Sequence, residues 1–309
     1  MTESPQSFSI SEFPEGFRSG YVAIIGAPNV GKSTLLNQYL GQKVAICTPK
    51  PQTTRHQIRG VLSGPDFQIV FVDTPGIHES KILANQAMVE AAVRAIEEVD
   101  VVLMVVDVAK REPRLEDQII KLLYRTKKPA VLALNKIDQI KKSELLPMIE
   151  AFSKAYAFSA IVPISALKGD GLSELLQEIV KLLPEGPPFY DAETFTDQTE
   201  RQLAAEIVRE KIFLLTGQEI PYATAVTIED WEEVPEKNLV RIRATVFVER
   251  DSQKGIIIGK GGQMLKKIGQ LAREELEFLL GRKVYLDLWV KVLRDWRRDP
   301  KALKRLGLS

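Results

Sequence analysis

The sequence predicts an α/β protein in two parts: a mostly parallel sheet flanked by helices over residues 19–183, then a smaller α+β unit over residues 198–309. Three observations predict it. Short apolar runs of strand type alternate with amphipathic helical segments from residue 20 to 183. The stretch Pro184-Glu185-Gly186-Pro187-Pro188-Phe189-Tyr190-Asp191 then breaks the alternation, because three prolines and a glycine cannot continue a helix. Beyond this connector, residues 184–197, the order becomes helix, strand, strand, helix, helix, strand.

Composition bounds the function classes. The chain has 309 residues, 45% hydrophobic and 27% charged, which is enough for two cores and typical of a globular protein. The longest apolar runs, such as residues 101–106, are too short to span a bilayer. Residues 1–18 are rich in Ser, Pro and Glu, with Glu3, Glu12 and Glu15 and no apolar core, so they read as a flexible lead-in and not as a signal peptide. Cys47 is the single cysteine, which excludes an internal disulfide and favours a reducing compartment. His56 and His78 fall in different loops, and no Cys/His cluster has zinc spacing.

In chain order, the expected strands of the first part are residues 22–26, 56–63, 67–73, 100–107, 130–135 and 160–164. The expected helices are residues 32–40, 85–97, 114–125, 145–154 and 171–182. Gly64-Pro65-Asp66 joins the second and third strands as a hairpin, adding one antiparallel edge to a parallel sheet. Ligands of such sheets bind beyond the carboxyl ends of the strands, and the motifs fall there.

The first motif is Gly26-Ala27-Pro28-Asn29-Val30-Gly31-Lys32-Ser33-Thr34, between a strand and a helix. This is the setting of a phosphate-binding loop: glycines let the backbone wrap an anion, and a helix N-terminus adds positive charge. Lys32 then reaches the β- and γ-phosphates and Ser33 ligates Mg²⁺. Asp73-Thr74-Pro75-Gly76 follows a strand; Asp73 is expected to serve Mg²⁺ through water, and Gly76 lets the backbone approach the γ-phosphate. Asn135-Lys136-Ile137-Asp138 follows another. A carboxylate at Asp138 accepts from the two adjacent donors of guanine, which adenine lacks, so the nucleotide is GTP; the competing reading of Asp138 is a helix N-cap. Asn135 ties loops together and the Lys136 stem covers the base. Ser165-Ala166-Leu167, after the last strand, offers a backbone N–H to guanine O6.

This order of motifs resembles the translation-factor-related GTPases, and Pro51-Gln52-Thr53-Thr54-Arg55 resembles the switch I segment of the Era family. The resemblance makes Thr54, or its neighbour Thr53, the threonine that closes on Mg²⁺, within a segment, residues 41–57, that orders with the nucleotide. Lys32, Thr54, Asp73 and Gly76 are thereby the candidate catalytic residues. Ile77 stands where Ras-like GTPases place a water-orienting glutamine, so unaided hydrolysis is expected to take roughly minutes or longer. Arg55 and Arg59 read as solvated charges. By the same resemblance Asn29 is a candidate K⁺ ligand.

In the second part, Ile256-Ile257-Ile258-Gly259-Lys260-Gly261-Gly262 resembles the signature of a KH domain, and the element order resembles its type II form. The glycine turn exposes backbone N–H groups to a single-stranded nucleic acid whose bases enter an adjacent apolar groove. Residues 197–240 carry 4 basic and 10 acidic groups, whereas residues 241–309 carry 17 basic and 8 acidic, so a net charge of +1 conceals a basic half around the glycine turn. Ile258, Gly259, Lys260, Gly261, Gly262, Lys254, Lys266, Lys267 and Arg273 are the candidate RNA-binding residues. The tail Asp295-Trp296-Arg297-Arg298-Asp299-Pro300 either lies on the domain or touches RNA.

A P-loop GTPase joined to a type II KH domain resembles the Era family as a whole. The resemblance implies a monomeric, cytoplasmic factor, peripheral on the inner membrane face, that uses GTP and GDP. It further implies binding of single-stranded 16S ribosomal RNA near its 3′ end during assembly of the small (30S) subunit, under control of the nucleotide.

Overall fold

The computed structural model describes residues 13–46, 48, 58–73 and 96–306. Among them, the first part builds a six-stranded sheet from β1 (Arg18–Ile25), β2 (Ile58–Ser63), β3 (Phe67–Asp73), β4 (Val101–Asp107), β5 (Ala130–Asn135) and β6 (Ala160–Ile164), in the order β2-β3-β1-β4-β5-β6. β2 runs antiparallel to β3, and every other pairing is parallel. The strands read as continuous apolar runs because both faces are covered, and β4 is buried at every position. Val22, Ile24, Leu103 and Val105 face α1 (Lys32–Leu40) and α4 (Leu172–Leu182). Ala23, Ile25, Val102 and Met104 face α2 (Pro113–Thr126) and α3 (Lys142–Ala155). The expected helix 85–97 lies almost wholly outside the described residues; residues 96–98 are helical.

The flexible lead-in expected over residues 1–18 does not extend to its end. Phe17 is buried, Arg18 opens β1, and its Nη1 donates to Leu183 O at 2.6 Å. β1 starts four residues before the expected strand because Arg18 to Tyr21 pair with Phe67 to Val70 without an apolar pattern to announce it.

The connector is fastened to the first part. Gln68, 1% exposed, accepts from the N–H groups of Phe189 at 2.7 Å and Tyr190 at 2.9 Å and donates to Tyr190 O at 2.8 Å. Ser19 Oγ donates to Pro187 O at 2.7 Å. Val61 N–H donates to Phe195 O at 2.9 Å, and Thr196 Oγ1 to Arg59 O at 2.6 Å. Side chains of β1 and β3, together with backbone N–H groups of β1 and β2, thus pair the polar backbone of this proline-rich stretch.

The second part is α5 (Glu200–Leu215), β7 (Ala225–Val234), β8 (Leu239–Val248), α6 (Asp251–Ile258), α7 (Gln263–Leu280) and β9 (Lys283–Val292). β8 pairs antiparallel with β7 and parallel with β9. Thr199 caps α5 by accepting from Gln202 N–H at 3.2 Å, and Gly281, left-handed at φ 63°, ends α7. Leu203, Ile207, Ile268, Ala272 and Leu276 close one core against the sheet. The tail lies on the domain: Trp296 is 1% exposed, donates from Nε1 to Ala223 O at 3.2 Å, and packs with Leu303 and Leu306 at α8 (Pro300–Arg305) and beside it.

Replacing Gln68 by Ala leaves two backbone N–H groups and a carbonyl without their buried partner. The expected result is a loss of about 2 kcal/mol or more in urea denaturation, with new protease cleavage within residues 187–192.

Candidate nucleotide and nucleic-acid sites

The phosphate loop spans the carboxyl end of β1 and the start of α1. Gly26 sits where a Cβ would lie 2.4 Å from Val105 O, and Gly31 where one would lie 2.3 Å from Asn135 Nδ2 at φ 102°. No side chain caps α1. Lys32 is buried and donates from Nζ to Gly26 O at 3.1 Å and Ala27 O at 3.0 Å. Burial lowers its ammonium to about 8, with Asp73 pulling the other way. Ser33 Oγ donates to Asp73 Oδ2 at 2.8 Å, so two hard oxygens stand together at the helix start, a donor set suited to Mg²⁺.

Asn135, 2% exposed, joins three loops. Its Nδ2 donates to Val30 O at 2.7 Å, and its Oδ1 accepts from Lys136 N–H at 2.8 Å and Ala166 N–H at 2.9 Å. Of the Ser165-Ala166-Leu167 stretch expected to offer one backbone N–H to guanine O6, the Ala166 N–H is engaged by Asn135. Ser165 is buried, Leu167 is exposed, and Ser165 Oγ donates to Asp138 Oδ1 at 2.7 Å. That hydrogen bond holds the Asp138 carboxyl below its ordinary value, which keeps it an acceptor. Asp138 is not a helix N-cap: it lies inside the 3-10 turn Ile137–Gln139, which follows Lys136, and α3 starts at Lys142 after Lys141.

Sequence reasoning missed Asp107. It ends β4 in register with Asn135, accepts from Ala109 N–H and Lys110 N–H, and binds Lys136 Nζ at 2.5 Å; Lys136 also reaches Asn29 O at 2.8 Å. An acid ending an all-apolar strand was the available signal. Asn29 and Lys136 both adopt left-handed backbone, at φ 63° and 70°. Thr53, Thr54, Thr74, Pro75, Gly76 and Ile77 lie outside the described residues, as do Arg55, His56, His78 and Cys47.

In the second part, Gly259, Gly261 and Gly262 have φ of 73°, 60° and 78°, so the turn between α6 and α7 depends on glycine. It opens on a groove of about 490 Å³ between α7 and β9, lined by Gly262, Lys266, Gly269, Arg273, Tyr285 and Leu288 among others. Lys260 is exposed at the turn. Lys267 and Lys254 are not on the groove lining, and Ile258 packs on the core. Lys267 is turned about 100° from Lys266 by the helical period, which a charge count does not register. The groove wall at Tyr285, Leu286 and Leu288 was not anticipated, since it reads as ordinary strand alternation.

A phosphate loop, an Asp73 beside Ser33 and a guanine-type acceptor at Asp138, on a parallel sheet followed by a KH-like unit, define a P-loop GTPase with an appended nucleic-acid-binding domain. A family model described as 50S ribosome-binding GTPase matches residues 21–136, and a KH-domain model matches residues 219–297. The chain is 51% identical over 293 residues to the GTPase Era of Geobacter metallireducens, covering 95% of this chain and 98% of that one. It is 49% identical over 295 residues to that of Heliobacterium modesticaldum, covering 96% and 98%. A single-substitution variant of Aquifex aeolicus Era bound to GDP and aluminium tetrafluoride superimposes with a TM-score of 0.91 at 46% identity, covering 95% of this chain and all of that one. Era in complex with MgGDPNP and nucleotides 1506–1542 of 16S ribosomal RNA matches with the same TM-score and identity, over 95% and 99%. The chain belongs to the Era family of GTPases.

Asp107→Asn keeps an acceptor for the backbone but removes the charge facing Lys136. One charge-assisted hydrogen bond is worth about 1.5 kcal/mol or more, so GDP dissociation is expected to accelerate about tenfold in stopped-flow with a fluorescent analogue.

Proposed function

We propose that this GTPase binds unpaired small-subunit ribosomal RNA near its 3′ end and that the bound guanine nucleotide sets how tightly it does so, during assembly of the 30S subunit. The observation that carries the nucleotide half is the convergence of three loops on Asn135. The RNA half rests on the glycine turn opening on a groove edged by Lys266 and Arg273, and on the relative whose structure holds 16S ribosomal RNA.

In this reading residues 19–183 hold the nucleotide and residues 198–309 the RNA, joined by the strapped connector 184–197. Gly26 to Thr34 wrap the phosphates, and Lys32 exchanges its carbonyl partners for phosphate oxygens. Asp138 selects guanine, while Asn135 fixes the distance between phosphate and base sites. Ser33, Thr54 and Asp73 hold Mg²⁺, which when bound neutralises phosphate charge. Thr54, Thr74 to Ile77 and Gly76 in particular complete the γ-phosphate side, and Ile77 makes unaided turnover slow. A K⁺ at Asn29 belongs to the same proposal, and equal turnover in K⁺ and Na⁺ buffers removes it. The factor is placed in the cytoplasm as a monomer, with peripheral contact to the membrane face; among the described residues no helix is long and apolar enough to cross a membrane.

Crosslinking in cells followed by sequencing of the bound RNA tests the reading. Enrichment at the 3′ end of small-subunit ribosomal RNA is expected, and enrichment only elsewhere defeats it. Asp138→Asn presents an amide to the guanine donors, so GTP affinity is expected to fall at least ~10²-fold while xanthosine triphosphate, which offers one donor and one acceptor, is gained; competition binding measures both. Lys266→Glu with Arg273→Glu is expected to weaken RNA binding about tenfold or more in low salt and to leave GDP affinity unchanged, read by fluorescence anisotropy.

A further inference from the structure

Lys43 belongs to the first part of the chain and makes its ion pairs in the second. It follows α1 by three residues, in the segment 41–57 that leads out of the phosphate-loop helix. Its position is fixed from behind. Asn37 on α1 donates from Nδ2 to Ala45 O at 2.7 Å and accepts at Oδ1 from Val44 N–H at 3.0 Å and Ala45 N–H at 2.9 Å, while Val44, Ala45 and Ile46 are buried. The Lys43 side chain then reaches Glu210 on α5 at 2.6 Å and Glu275 on α7 at 2.5 Å.

The same two carboxylates share a second ammonium, Lys211, which lies 2.8 Å from Glu210 and also binds Glu275. Two cations and two anions therefore alternate around one ring. The Glu210 side chain is 3% exposed and that of Lys211 10%. Burial works against charge at both Lys211 and Glu275, yet the hydrogen bonds of Lys211 to Glu210 and Glu275, and of Glu275 to Lys211 and Lys43, outweigh it, holding Lys211 above the ordinary lysine value and Glu275 below the ordinary carboxylate value. Withdrawing Lys43 takes away one of the two ammonium groups these crowded carboxylates share, a costly loss of compensation around the buried Glu210 side chain. The strain falls between α5 and α7. Arg273, on the RNA groove, stands two residues before Glu275 on the same helix.

We propose that the Lys43–Glu210–Lys211–Glu275 cluster is the contact through which the nucleotide site and the RNA groove are coupled. This rests on the nucleotide-controlled RNA binding proposed above. A change in the 41–57 segment that draws Lys43 away shifts α7 against α5, and a change at α7 imposed by RNA acts back on Lys43. Coupling of this kind is reciprocal: the factor by which nucleotide alters RNA affinity equals the factor by which RNA alters nucleotide affinity.

The test uses the full chain and a short unpaired RNA with the 3′-terminal sequence of small-subunit ribosomal RNA, its affinity measured with GDP and with a non-hydrolysable GTP analogue. In the unaltered protein the two affinities are expected to differ about fivefold or more. In Lys43→Met the ratio is expected to fall to within about twofold of unity. Glu275→Gln should lower it in the same direction while retaining shape, and binding of fluorescent GDP shows that each variant is folded. A ratio kept at its original value in both variants overturns the coupling role and leaves the proposed function standing. Equal affinities in the unaltered protein overturn the proposed function, and the coupling with it.

Discussion

The nucleotide site depends on one buried amide. Asn135 spends its Nδ2 donor on the phosphate loop and its Oδ1 acceptor on two backbone N–H groups, one in its own loop and one after β6. Inside a low-dielectric core each of those bonds is costly to leave unmade, so the loops have little freedom to drift apart. The close approach this requires explains Gly31, whose missing Cβ leaves room for Nδ2. Asp107 and Lys136 add a charged brace at the adjacent strand end. In the proposed reading these bonds set the separation of the purine and triphosphate subsites.

The contiguous parts of the fold were legible because they obey one rule at a time. Val101 to Val106 are buried on both faces, and only an unbroken apolar run serves there. The phosphate loop is one uninterrupted motif, and α1 has the expected bounds, ending at a left-handed Gly41. The glycine turn of the second part was readable because three glycines within four residues have no helical use. In each case the physical requirement sits in neighbouring residues.

What could not be read is set by pairing across distance. Arg18 and Ser19 are strand residues only because β3 and the connector satisfy them, and nothing in their own neighbourhood says so. Gln68 looks like any polar strand residue, yet it holds the backbone of residues some 120 positions later. Lys266 and Arg273 line the groove and Lys267 and Lys254 do not, while Tyr285 and Leu288 line it without a distinctive chemistry in the sequence. Lys43 was one lysine among many until α5 and α7 supplied its partners. Charge counts find a basic half; only the helical rotation decides which cations meet the groove.

The strap along the sheet has a bearing on how these molecules behave in a crowd. An outermost strand ordinarily offers a ladder of unused donors and acceptors to whatever extended chain arrives. Here Gly60 and Val61 of β2 are already engaged by Phe195 and Thr196 of the same polypeptide. The tether between the two halves thereby doubles as a guard rail: lengthening or loosening it for greater reach would bare these groups to pairing with another copy.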